Sequence, residues 1–156
     1  MLIKEHQTFE ATNLLVCEGT YYQHELNALI EKMKNIIAKN NAQRVGATIS
    51  ATLAVYEDSP KFDILIMIPL NKEIEVTDLG FRFEPIFTLT NAVTIRHIGA
   101  PSGLSIAAET ITKYIMENNL EPVSMGYNMT IREASSESEI NDMIVDIYID
   151  IKKNNA

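Results

Sequence analysis

The sequence has one cysteine, no tryptophan and no long apolar segment, and these shortages exclude several classes of protein. Cys17 has no partner for an intramolecular disulfide, and we expect it to be a small buried residue rather than a nucleophile. The histidines His6, His24 and His97 show no ligand spacing such as HxxxH, so we expect no metal site and no cofactor. The longest apolar run, residues 64–70, is too short to cross a membrane. We therefore expect a cytoplasmic protein without a membrane partner.

Positive charge is also scarce, with 13 Lys and Arg residues against 21 Asp and Glu residues and a formal net charge of −8. Because nucleic-acid affinity depends on cations that neutralise phosphates, this balance argues against a nucleic-acid partner. It leaves cationic small molecules and basic protein surfaces open as partners, although acidic charge also serves solubility alone. With 46% hydrophobic residues, the chain has enough apolar material for a packed core.

The apolar pattern repeats along the chain, in halves of about residues 12–70 and 80–153 within one domain of residues 1–156. Each half predicts a strand, a helix and two more strands. Aligned landmarks support the repeat: Gly19 with Gly99, Asn40-Asn41 with Asn118-Asn119, and Gly46 with Gly126. We predict an α+β fold made of a tandem, pseudo-twofold β-α-β-β repeat, with antiparallel sheets, two long helices and a central cleft that could hold a ligand.

The clearest strand is "MIVDIYIDIKK", residues 143–153, whose two faces differ in chemistry. Alternation places Val145, Ile147, Ile149 and Ile151 on a core face, and Asp146, Tyr148 and Asp150 on the other. In the first half, "ILIMIPL" aligns with this strand and places Leu65 and Met67 at the positions of Asp146 and Tyr148. Asp146 is the strongest candidate for a binding residue, whereas Asp150 near the strand end is expected to be solvated.

Several pieces of the second half resemble the DNA gyrase inhibitor-like effector-binding domain. They are the strand "VTIRHIG", the G-x-P-x-G-L start of a helix at residues 99–104, the helix end "NNLEP" and the last strand. The resemblance covers roughly residues 80–153, and the first half matches only in layout. It implies a stand-alone domain that binds amphipathic, often cationic, aromatic molecules. It also implies that Asp146 takes the place of a glutamate that meets the ligand's charge, and that a family tyrosine is replaced by Thr130.

The predicted ligand-binding residues follow from the two faces of the last strand and from the family resemblance. Each of them also has an explanation that needs no ligand. Asp146 could instead pair internally with Arg96, and the apolar and aromatic members could simply complete the core. Tyr127 and Met129 are expected in the core on the helix side of the sheet. We predict no catalytic and no metal-binding residues. The ligand-binding set is Asp146, Tyr148, Leu65, Met67, Tyr22, Phe81, Phe83 and Arg96.

Three functions are compatible with this sequence. The first is a stand-alone binding protein for an amphipathic, cationic small molecule, with a regulatory or sequestering role. The second is a protein-interaction module without a small ligand. The third is a small hydrolase of an electrophilic compound, which the resemblance allows because some relatives have that activity. Those relatives use a tryptophan, which this chain lacks.

Overall fold

The computed structural model describes residues 2–153, which contain six β-strands and two α-helices. No helix in this part of the chain is both long and apolar enough to span a membrane. The elements in chain order are β1 Ile3–Tyr21, α1 Leu26–Lys39, β2 Thr48–Val55, β3 Phe62–Pro69, β4 Phe81–Ile98, α2 Leu104–Glu117, β5 Pro122–Arg132 and β6 Ile144–Ile151.

The chain folds as two compact units. The N-half unit is Glu10–Phe87, and the C-half unit comprises the residues up to Phe9 and those from Thr88 onward. The long strands β1 and β4 each contribute one part to either unit. The α+β class, the β-α-β-β order of each half and the two long helices are confirmed. The single domain and the central cleft between the halves stay predictions.

In the N-half unit, β3 pairs antiparallel with both β1 and β2. The apolar stripe of α1 packs on one face of this sheet and buries Leu29, Met33, Ile36 and Ile37. The residues of β3 that meet this helix are Ile64, Ile66 and Ile68. Burial of each such aliphatic side chain contributes roughly 1.5–3 kcal/mol, so this helix-sheet contact is the main stabilising layer of the unit.

The C-half unit repeats the arrangement, since β6 pairs antiparallel with both β4 and β5. Helix α2 buries Ala107, Ile111 and Ile115 against the sheet. The predicted core face of the last strand is confirmed, because Ile147 and Ile151 are buried under α2 and Val145 is also buried. Asp146 and Tyr148 consequently face away from α2.

The asparagine landmarks mark the same helix ending in both halves. Asn41 and Asn119 adopt left-handed backbone conformations, with φ of 53° and 54°. The next backbone N–H in each half, that of Ala42 or Leu120, donates to the carbonyl five residues earlier. These bonds satisfy helix carbonyls that would otherwise lack donors, which is the usual role of a left-handed C-terminal residue. The repeat is therefore present in backbone conformation as well as in element order.

The two glycines of the G-x-P-x-G-L motif are required for different physical reasons. Gly99 has φ of 139°, a conformation that side chains strongly disfavour. A Cβ at Gly103 would come within 2.6 Å of Cε1 of His97. The His97 ring is fixed in this place because its Nε2 lies 2.8 Å from the carbonyl oxygen of Ala100. The motif therefore closes the turn between β4 and α2 around the His97 imidazole.

Two strands extend well beyond the predicted segments. The first strand was expected around residues 13–19, but β1 begins at Ile3. The strand predicted at residues 91–99 begins at Phe81, because the extended stretch of the linking segment continues directly into it. His6 and Asn13 have positive φ within β1, at 58° and 56°, so the strand is locally irregular. The alternation of side chains between the two faces is interrupted at such points. For this reason the full length of β1 was not predicted.

The left-handed asparagines predict a distinct response to substitution. Asn119→Ala should lower the free energy of unfolding by about 1 kcal/mol, because alanine has no side chain to offset the cost of this conformation. Asn119→Gly should stay within about 0.5 kcal/mol of the natural chain, since glycine adopts the conformation freely. Urea unfolding measures both values, and the Asn41 pair of variants is the matched control in the other half. Alanine variants as stable as asparagine would contradict this account.

Candidate ligand-binding groove

Two rows of side chains cross the face of the C-half sheet that points away from α2. In the first row, Asp146 on β6 lies between Arg96 on β4 and Met129 on β5. In the second row, Tyr148 lies between Thr94 and Tyr127. Directly opposed residues of an antiparallel pair point to the same face, so the register alone places these side chains together.

Asp146 forms a bidentate ion pair with Arg96. Nε of Arg96 donates to Oδ1 at 2.7 Å, and Nη2 donates to Oδ2 at 2.9 Å. The two partners differ in burial, because the Asp146 side chain is 13% exposed whereas that of Arg96 is 52% exposed. The hydrogen bonds and the nearby carboxylate raise the pKa of Arg96 above its usual value. The internal pair that the sequence allowed is therefore present, with the carboxylate inside and the guanidinium towards solvent.

Tyr148 supplies a partly buried aromatic surface beside this pair. Its ring meets that of Phe9 edge to face, with a distance of 5.6 Å between the ring centroids. Burial raises the pKa of Tyr148, the Asp146 carboxylate raises it further, and Arg96 opposes that rise. The phenol therefore stays neutral at physiological pH and offers a ring face and a hydroxyl to a ligand.

A groove of about 510 Å³ runs over these rows, and all of its lining residues belong to the C-half unit. Its volume lies in the range of small-molecule sites. The walls combine apolar, aromatic and charged side chains. The lining residues are Leu2, Lys4, Gln7, Thr94, Arg96, Ile98, Asp146 and Tyr148. Three predicted binding residues, Asp146, Tyr148 and Arg96, are thus brought together.

Leu65 and Met67 occupy the equivalent positions in the N-half unit. Leu65 pairs with Glu18 and Ala51, and Met67 pairs with Val16 and Ile49. The register thus supports the alignment of these residues with Asp146 and Tyr148. Both side chains are buried, at 8% and 4% exposed. Their role as ligand contacts stays a prediction.

The predicted aromatic wall residues also belong to the N-half unit. Phe81 and Phe83 are partly buried against the core under α1, and Nζ of Lys32 lies 5.1 Å from the centroid of the Phe81 ring. Tyr22 stacks on His24 with 5.2 Å between ring centroids, while Lys61 approaches its ring as well. The three aromatic rings thus have contacts with neighbouring side chains of their own unit. That any of them contacts a ligand stays a prediction.

The expected facing of Tyr127 and Met129 is wrong. Both were expected on the helix side of the sheet, but they lie opposite Tyr148 and Asp146 and so share their face. The register of β5 shifts near both of its ends, between Pro122 and Gly126 and between Thr130 and Arg132. Alternation counted from the ends of the strand therefore gives no secure facing for its middle. Tyr127 therefore places an aromatic side chain from β5 on the same face as Tyr148. Thr130, which stands at the position of the family tyrosine, does not.

The sequence interpretation missed the residues that β1 contributes to the groove. Lys4 and Gln7 on β1, and Leu2 directly before it, come from a segment in which no strand was predicted, and they lie beside residues far along the chain. The alternation of exposed and half-buried residues from Ile3 onward is visible in the structure. The segment "LIKEHQTFEA" has no polar-apolar alternation, since Lys4 to Thr8 are all polar, and so local pattern could not have indicated this strand.

A second cavity, of about 560 Å³, lies along α2 in the same unit. Residues from Ala108 to Glu117 line it, all from this one helix. Its charged members include Lys113 and Glu117, which form an exposed ion pair at 3.7 Å. A surface of one helix offers few converging polar groups, so the groove beside Asp146 is the better candidate for a ligand.

Comparison with known proteins gives structural matches only. No protein-family model matches the sequence, and no curated protein matches it. Among solved structures, the C-terminal domain of EcmrR superposes with a TM-score of 0.73 at 14% identity, covering 99% of this chain and 100% of that domain. The chain has the fold of this domain. In a complex of EcmrR with DNA, the match covers 59% of the longer EcmrR chain.

Two further solved structures share this fold. A protein described as a hydrolase from Listeria innocua has a TM-score of 0.60 at 10% identity, covering 95% of this chain and 93% of that one. The protein SAV2435, solved with bound tetraphenylphosphonium, has a TM-score of 0.56 at 14% identity, covering 97% of this chain and 94% of that one. At these identities the matches establish the fold alone.

The geometry of the ion pair predicts a small contribution to stability. Arg96→Gln should lower the free energy of unfolding by about 1 kcal/mol, because the Asp146 carboxylate loses two charged donors but keeps some contact with water and can accept from the glutamine amide. Urea unfolding of the two proteins measures the difference. Lys113→Gln, which removes a partner from the exposed pair on α2, is the matched control. A loss of several kcal/mol would mean that Arg96 is mainly a structural residue.

Proposed function

We propose that this chain is a binding protein of the gyrase inhibitor-like effector-binding class and that its ligand is an amphipathic molecule with a positive charge. The ligand lies in the groove of the C-half unit, with its charge at Asp146. The observation that supports this proposal is the ion pair itself. A carboxylate only 13% exposed already holds a delocalised cation, the Arg96 guanidinium, at the wall of an accessible groove.

The carboxylate in this position favours cations over neutral molecules. The Asp146 side chain is mostly covered and its oxygens are held by one cationic partner, so a ligand cation could take over that role. Attraction between opposite charges is stronger in such a partly desolvated place than in bulk water. Asp146 carries the only carboxylate among the lining residues in the described part of the chain.

The remainder of the groove suits the apolar part of such a ligand. Tyr148 offers a ring that can stack on aromatic groups or contact a cation, and cation–π contacts contribute roughly 0.5–2 kcal/mol. Leu2 and Ile98 are 69% and 64% exposed, so a ligand that covers them removes apolar surface from water. A hydrophilic cation could contact the Tyr148 ring but would not cover Leu2 and Ile98, and the groove therefore favours molecules that are both charged and apolar.

The structural matches agree with this proposal in the type of ligand and in the type of protein. SAV2435 was solved with tetraphenylphosphonium, which is itself a large apolar cation. EcmrR has a domain of this fold within a longer chain that was solved on DNA, which fits a regulatory role for ligand binding. Regulation or sequestration by this chain, and the absence of a nucleic-acid partner, belong to the proposal.

A hydrolase is the second candidate, because the Listeria protein with this fold carries that description. Hydrolysis by covalent catalysis requires a nucleophile beside a base. Among the described residues that line the groove, the hydroxyl groups belong to Thr94 and Tyr148, and none is a serine, cysteine or histidine. Binding without turnover is therefore the function that this groove supports better.

Titration of the chain with tetraphenylphosphonium tests the proposal. We expect saturable one-to-one binding by calorimetry, and we expect Asp146→Asn to weaken it by about tenfold or more through loss of the counter-charge. Glu121→Gln is the matched control, because it removes a carboxylate of the same unit that pairs with Lys152 outside the groove. Equal affinities of the Asp146 variant and the natural chain would place the site elsewhere, and absence of binding would remove the proposed function.

A further inference from the structure

Arg96 blocks the charge site that the proposed function requires. Both oxygens of Asp146 accept hydrogen bonds from this one guanidinium, at 2.7 and 2.9 Å. While both bonds are in place, the guanidinium occupies the edge of the carboxylate at which the two oxygens accept, so a ligand cation takes that edge only by displacing Arg96. In the structure as it stands, the basic groups Arg96 and Lys4 outnumber the single acid among the lining residues. While Arg96 stays on Asp146, the charged groups of the lining have an excess of positive charge, which weakens the attraction of a ligand cation.

The burial of the two partners indicates which of them can leave. Asp146 is held on the wall by the β6 backbone and is mostly covered, whereas half of the Arg96 side chain is already in water. Arginine has a long and flexible side chain, so its charged end can turn towards water while the strand that carries it stays in place. Rotation of Arg96 into solvent would uncover Asp146 without any change in the strands.

Comparison of the two halves supports a functional connection between Arg96 and Asp146. The register equates Arg96 opposite Asp146 with Glu18 opposite Leu65 in the N-half unit. Glu18 contacts Arg82 instead, at 3.2 Å, and Leu65 carries no charge. The acid and its arginine therefore occur together in one half and are both absent from the other. This pattern fits an arginine that occupies the charge site of a buried acid.

We propose that Arg96 is an internal competitor for the ligand and determines the specificity of the groove. Binding then proceeds by exchange, in which the ligand cation replaces the guanidinium at Asp146 and Arg96 turns into solvent. This inference rests on the proposed function and extends it to the class of ligand. Because charge is exchanged for charge, the net gain must come from apolar contact with Tyr148, Leu2 and Ile98. Small hydrophilic ammonium ions are thereby rejected, and large apolar cations are selected.

The affinity of tetraphenylphosphonium for Arg96→Gln tests this exchange. Calorimetry should show binding about tenfold tighter than to the natural chain, because the competitor is gone and Asp146 remains. Lys4→Gln removes the other positive charge of the lining and is the matched control, for which we expect a gain of less than about threefold, since an exposed lysine acts on a cation mainly through screened repulsion. In Asp146→Asn, the further change Arg96→Gln should give no gain.

The outcomes of these titrations distinguish the exchange from the proposed function. Equal gains in the Arg96 and Lys4 variants would show general electrostatic repulsion, and would overturn the exchange. Unchanged or weaker binding to Arg96→Gln, with normal binding to the natural chain, would overturn the exchange and leave the proposed function intact. Failure of both proteins to bind would remove the proposed function and this inference together.

Nuclear magnetic resonance of the Arg96 side chain gives an independent readout. In the free protein its Nε–H is bonded to Asp146, so exchange of this proton with water should be slow. Saturation with tetraphenylphosphonium should speed that exchange and shift the resonance, as expected for a guanidinium released into solvent. Arg82, which pairs with Glu18 and Glu84 in the other unit, is the internal control and should not change. An Arg96 signal that stays protected at saturation would contradict the exchange.

Discussion

The antiparallel pairing of β6 with β4 and β5 is the constraint on which the rest of the C-half unit depends. The register opposes Ile147 to Ile95 on the face under α2 and, one residue earlier, opposes Asp146 to Arg96 on the other face. Helix packing fixes the first face, because the buried isoleucines leave the strand no freedom to slip by one residue. The position of the acid in the groove is thus a consequence of the core behind it.

The two halves share a backbone plan but differ in how they use the face away from the helix. In the N-half unit this face carries Val16, Ile49 and Met67, all buried and apolar. In the C-half unit the equivalent positions are Thr94, Tyr127 and Tyr148, which bring polar groups and aromatic rings. The strand pairing of the two halves is equivalent here, so the difference lies in the side chains alone.

Much of the fold followed from local pattern, and parts of the site did not. Alternation identified the core face of β6, and helical spacing identified α1 and α2, because these signals depend only on neighbours along the chain. The pairing of Asp146 with Arg96 was one of two alternatives, since both a ligand and an arginine satisfy a carboxylate.

The contributions of β1 and β5 depended on information that the sequence pattern does not contain. Lys4 and Leu2 line the groove beside residues of β4 and β6, which lie far along the chain, and no local signal records such neighbours. Tyr127 and Met129 were given the wrong face because register shifts near both ends of β5 interrupt its alternation. Long-range register, rather than local propensity, determines which side chains line the groove.

The central claim is that Asp146 is a charge site occupied by Arg96 until a ligand cation replaces it. A crystal structure of the chain with tetraphenylphosphonium tests this claim most directly. We expect the ligand in the groove with its phosphorus centre near Asp146, a phenyl ring on Tyr148, and the Arg96 guanidinium turned away into solvent. A ligand bound at another place while both Arg96–Asp146 hydrogen bonds remain would contradict the claim.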